Sequence, residues 1–182
     1  MRLLFFIGMC SLLLAACGNY EGLKNVKSNN HEEMAVQLKT VSVVNEKNLE
    51  IRQKIVESAL KDTMFGDLIH VEGLNSQEPY SLEIEYKGKE NLSEKMTIKC
   101  IQLTVRDAVY AIKELGLNID HISVNIKYPF VDKYGNTTNG YVVKSKYTAD
   151  TVKRLNEDSK NFKVKNLPIV ADEWWIHPSF KE

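Results

Sequence analysis

An excess of either charge is missing from this sequence: 24 lysines and arginines meet 24 aspartates and glutamates, so the formal net charge is zero. Without a basic excess there is no electrostatic footprint for nucleic acid, and none is expected as a partner. Cysteine is scarce as well, with only Cys10, Cys17 and Cys100. Three thiols, two of them at the N-terminal apolar run and its close, make neither a disulfide framework nor a zinc-binding set, so the fold must be held by its core. No apolar run reaches the 18 or so residues that a spanning helix requires. The motifs of common enzymes are absent too. There is no phosphate-binding glycine-rich loop, no dinucleotide fingerprint, and no Gly-x-Ser-x-Gly elbow. His31-Glu32-Glu33 lacks the second histidine of a zinc-protease motif, and the turn Asp132–Asn136 lacks the alternating acidic ligands of a calcium loop. No cofactor and no metal site are expected.

What is present begins at the first residue. Arg2 supplies positive charge, Leu3 to Leu14 is an almost unbroken apolar run, and Leu14-Ala15-Ala16-Cys17 closes it. That order is the signature of a secretory signal peptide. As a helix the run would span about 18 Å, short of the roughly 30 Å hydrocarbon core of a bilayer. The closing tetrapeptide resembles the lipobox of bacterial lipoproteins. The resemblance implies that residues 1–16 are removed and that Cys17 carries a diacylglyceryl group. It further implies a chain fixed to the outer, extracytoplasmic face of a membrane by lipid rather than by a spanning helix. Two acyl chains at about 0.8 kcal/mol per buried CH₂ suffice for stable attachment. Arg2 leaves with the signal, and the remaining 23 basic and 24 acidic residues give −1, with no basic cluster beside Cys17.

Residues 17–45 form the next unit, polar and glycine- and asparagine-bearing over 18–34, and read as a tether. A coil of roughly 28 residues has an end-to-end distance near 30 Å. Imperfect alternation over 35–44 allows an extra edge strand. Residues 46–182 then form one α+β domain of ordinary size. Ile51, Ile55, Val56, Ala59 and Leu60 mark a first helix, and Val105, Ala108, Val109, Ile112 and Leu115 a second, read as opening at Thr104 and closing at Gly116. A third helix starts at Thr148. Strands are read at 68–72, at 81–87 and over Met96, Ile98 and Cys100. The clearest runs from Ile122 to Phe130, with Tyr141, Val143 and Tyr147 returning along its partner. The order α-β-β-β-α-β-β-α packs most simply as a largely antiparallel sheet with helices on one face. The stretch from Phe130 to Phe180 resembles the ends of exported Gram-positive proteins of no assigned activity, and implies none.

Two places could carry function. Glu83 and Glu85 share a strand face at a spacing that paired carboxylates use in glycosidases, and Glu83 with the distant His70 and His121 could assemble a composite hydrolytic site. Opposite charges across the strands, with Lys99, Lys127, Lys144 and Lys146 expected on the same outer face, make a solubilising surface instead. The second place is the C-terminal stretch around Trp174 and Trp175. If extended, it must point the two rings to opposite sides, one onto the core and one outward as an anchor for a partner. The alternative is that loops of the domain cover both. The expected role is a non-catalytic binding or assembly module of the cell envelope, with another envelope protein as partner and a small hydrolase as the alternative.

Overall fold

A computed structural model describes residues 33–36, 38 and 46–180, with 64, 76 and 92 excepted. The expected signal, the expected lipidation site Cys17 and the expected tether up to residue 32 lie outside the described residues. Residues 33–36 and 38 are helical, so the part of the expected edge strand that is described is not strand. Met34 and Leu38 lie against the core.

The elements are α1 (Glu46–Lys61), β1 (Gly66–Glu72), β2 (Tyr80–Gly88), α2 (Glu94–Leu115), β3 (Ile119–Val131), β4 (Thr137–Thr148), α3 (Ala149–Arg154), α4 (Leu167–Val170) and β5 (Glu173–Ile176). The sheet runs β1-β2-β3-β4-β5 in chain order. The β1–β2, β3–β4 and β4–β5 pairs are antiparallel, while β2 and β3 are parallel. A parallel pair needs a long crossover, and α2 supplies it. The α+β sandwich expected from the alternation is therefore the fold, with α1 and α2 covering one face of the sheet.

The element order departs from the expectation: the strand read over Met96, Ile98 and Cys100 is absent, and α4 and β5 follow α3. Met96, Ile98 and Cys100 belong to the first turns of α2, which is capped by the Ser93 hydroxyl accepting from the Met96 N–H at 3.3 Å. The buried stripe is Thr97, Cys100, Ile101, Thr104, Val105, Ala108, Val109, Ile112 and Leu115, a helical spacing disguised by its two threonines. Met96 is half exposed. Thr104 is not a cap. Its hydroxyl donates to the Cys100 carbonyl one turn back, the usual way a mid-helix threonine is satisfied. Gly116 does end the helix, at φ +64°, its N–H donating to the Lys113 carbonyl. In α1 the stripe is Arg52, Ile55, Val56, Ala59 and Leu60, and Ile51 faces outward. The Arg52 guanidinium covers the Tyr80 ring, 5.3 Å from its centroid.

From the sheet, Leu82, Ile84 and Tyr86 of β2, Ile122, Val124 and Ile126 of β3, and Val143 and Tyr147 of β4 meet these helices. The Tyr86 hydroxyl donates to the Leu60 carbonyl at 2.9 Å and so ties α1 to the sheet centre. Cys100 is a buried free thiol. Among the described residues no helix is long and apolar enough to cross a membrane.

Candidate functional site

The face of the sheet turned away from α1 and α2 carries the polar residues of the alternating strands, and register sets them in rows. One row crosses all five strands: His70, Glu85, Asn125, Lys144 and Trp175. The next holds Glu72, Glu83, Ser123, Lys146 and Glu173. The expectation that Glu83 and Glu85 share a face with Lys127, Lys144 and Lys146 holds; Lys99 instead lies on α2.

Glu85 is not the solvated carboxylate that alternation predicts, for it is 3% exposed. Lys127 Nζ stands 2.7 Å from its Oε1, and the Tyr141 hydroxyl donates to Oε2 at 2.8 Å. His70 Nδ1 lies 3.9 Å away. Burial alone would push the Glu85 carboxyl up, but the hydrogen bonds from Lys127 and Tyr141 and the charges of Lys127 and His70 outweigh it and hold the group below the usual carboxylate range. Tyr141 is shifted the other way, chiefly because its hydroxyl serves that carboxylate.

A folded carboxyl held low contributes stability above its unfolded value of about 4.3, and loses that contribution as the pH falls through the folded value. Urea denaturation of wild type and Glu85→Gln at neutral pH and at pH 3 should therefore converge, with wild type losing stability the variant never had. Parallel losses in the two proteins would contradict the role given to this carboxylate.

Tyr141 reaches the outer face by a backbone irregularity. Strict alternation with Val143 and Tyr147 places it on the core side. However, Ile126 pairs with Val143 and Lys127 with Tyr141, so Val142 is an extra residue in β4. Both valines are buried, and every residue beyond the bulge is turned over. The adjacent apolar pair Val142-Val143 was the only sequence sign of it. On the outer face the Tyr141 ring lies beneath two ammonium groups, Lys144 at 4.3 Å and Lys127 at 5.2 Å from its centroid.

The last strand completes the arrangement. In β5 the two tryptophans do point to opposite sides: Trp174, opposite Ser145, packs against the core, and Trp175, opposite Lys144, is 42% exposed on the outer face. An open groove of about 640 Å³ lies where β5 leaves β4. Tyr141, Lys144, Trp175 and His177 line it, with Phe130, Thr138 and Gly140 completing the wall. The Phe130 ring stacks at a tilt on His177, centroids 4.6 Å apart, and Trp175 meets His177 edge-on at 6.0 Å. Gly140 permits this packing, because a Cβ there would stand 3.1 Å from the Phe130 ring. The Ser179 N–H donates to His177 Nδ1 and orients the imidazole.

His70, Glu83 and His121 are not brought together as a reacting set. His70 faces Glu72 and Glu85, His121 Nδ1 is 2.7 Å from Asp120, and Glu83 accepts from Asn125 Nδ2 at 3.1 Å. The groove is lined by none of them. Of the groove residues only Trp175 was legible beforehand as a functional candidate. Phe130, Gly140, Tyr141, Lys144 and His177 become one site only through the β3–β4 bulge and the pairing of β5 on β4. No protein-family model, curated protein or solved structure matches the chain.

Proposed function

We infer that this protein is a lipoprotein held by a diacylglyceryl group on Cys17 at the extracytoplasmic face of a membrane, where its domain acts as a non-catalytic binding or assembly module for another envelope protein. The lipobox-like ending of the apolar N-terminal run supports the address. The observation that carries the binding role is Trp175, held outward beside a groove while its neighbour Trp174 is committed to the core. Aromatic anchors beside a pocket with a cation at hand are what interfaces use for their strongest contacts. The groove's walls are aromatic rings, a threonine, a lysine and a histidine, with no nucleophile and base placed as a pair. That composition suits recognition rather than hydrolysis.

The experiment is crosslinking in intact cells expressing the full chain. Wild type should yield a defined adduct, Trp175→Ala should lose it, and Cys17→Ala should accumulate as an unlipidated precursor with the domain still folded. A Cys17→Ala protein that is still labelled by lipid would overturn the address, and adducts indifferent to Trp175 would overturn the binding face.

A further inference from the structure

The two edges of the sheet are unequal. On β1 the Gln53 side chain donates to the Val71 carbonyl at 3.0 Å, a register irregularity falls between Leu68 and His70, and Asp67 and Glu72 add charge. These are devices that blunt an edge against further pairing. On the far side, β4 runs for 12 residues, but β5 pairs only with Val143–Lys146. The His177 N–H donates to the Val142 carbonyl, and the chain then turns away through Pro178–Phe180 to bury Phe180 against Tyr128. Among the described residues, Thr137–Tyr141 thus has β3 on one side and no strand on the other.

The bulge decides which main-chain groups that edge offers. C-terminal to it, the outer-face residues Lys144 and Lys146 turn their main chain toward β5, where the Lys146 carbonyl accepts from the Asp172 N–H. N-terminal to it the outer-face residues are Tyr141 and Asn139, paired with Lys127 and Pro129, and by the same two-residue period their N–H and C=O point away from β3. The groove lies against this stretch, and Lys144 and His177 line it while no carboxylate does. Lys127 and Lys146 face Glu85 and Glu173, whereas Lys144 has no carboxylate partner among the described residues and rests on the Tyr141 ring.

We propose that the free edge of β4 at Asn139–Tyr141 takes up an extended acidic segment of a partner protein as an added strand in line with β5. Strand addition draws affinity from main-chain hydrogen bonds and specificity from pockets for alternate side chains. Here an apolar side chain enters the groove between Phe130 and Trp175, and a carboxylate meets Lys144. This rests on the binding-module reading above and names the chemistry of its partner.

The test presents the full-length lipidated protein in detergent to a displayed library of random peptides. Selected peptides should carry aspartate or glutamate within an extended apolar pattern, and should slow exchange of the Asn139 and Tyr141 amides. Asn139→Pro removes an edge donor without removing a bond to β3, and Lys144→Glu reverses the charge on an exposed side chain. Each should weaken the selected peptides about tenfold or more, equivalent to about 1.4 kcal/mol. Should the proline variant fail to fold, the glutamate variant carries the test, because it should select basic peptides instead. Failure to select any peptide, protection elsewhere on the domain, or undiminished binding to both variants would overturn the proposal. In intact cells, a Trp175-dependent crosslink that survives Asn139→Pro and Lys144→Glu would leave the binding module standing and remove only the strand-addition mode.

Discussion

Gly73→Ala is expected to remove about 4 kcal/mol or more of the domain's stability. Gly73 directly follows β1, and its φ of +99° is one that L side chains rarely adopt. The added methyl would also stand 1.9 Å from the Ser81 carbonyl oxygen and 2.9 Å from its carbon. Ser81 lies at the start of β2, so the obstacle is backbone inside the ladder, and relief requires β1 and β2 to separate. Strain at a disallowed φ costs about 1–3 kcal/mol, and the clash adds to it, so a loss of about 4 kcal/mol or more is expected from a total that is typically 5–15 kcal/mol. Gly135→Ala serves as the control. Gly135 has φ +84° but open space around its Cβ, and strain alone there should cost about 1–2 kcal/mol. Urea denaturation of both variants measures the difference. Equal losses would mean that the Gly73–Ser81 contact does not constrain the fold.

Trp174→Ala and Trp175→Ala should separate by their effect on stability. Trp174 faces Ser145 and packs on the core, so its removal leaves unfilled space beneath β5. Emptying a core tryptophan costs about 3–5 kcal/mol, and partial burial places Trp174 near the lower end of that range. Loss of β5 anchorage would also release the wall that carries Trp175 and His177. Trp175 is exposed on the opposite face, and its truncation should change stability by no more than about 0.5 kcal/mol. Chemical denaturation of the two variants checks this directly. Equal destabilisation would mean that Trp175 is part of the core rather than a surface anchor.

What could be read in advance follows from period. Leu82, Ile84 and Tyr86, and the run Ile122 to Phe130, alternate so regularly that their faces and the two-layer architecture were legible. Thr148 as the start of a helix was legible too, and its hydroxyl does accept from the Thr151 N–H. The start of α2 was not, because three apolar residues two apart fit a strand as well as one side of a helix. Only the burial of Thr97 and Thr104 decides the matter. Glu85 was misread for a similar reason: alternation assigns a face, not an exposure. The partners that bury it, Lys127 and Tyr141, come from two other strands. Alternation from Val143 and Tyr147 puts Tyr141 on the core face, and one extra residue, Val142, inverts everything N-terminal to it. The groove is the least legible feature. Phe130, Gly140–Lys144 and Trp175–His177 are separate in the chain, and they meet only because β5 folds back on β4 and stops short of its end.

We propose that the outer face around Trp175 is where this protein meets its partner. A photo-reactive amino acid placed at position 175 of the full chain, with the same group at position 69 on the blunted β1 edge as reference, tests it in intact cells. Ile69 is 48% exposed and Trp175 42%, so the two positions are matched in access to solvent. A discrete adduct from position 175, with none from position 69, is the predicted result. Equal adducts from both positions, or none from position 175, would contradict it.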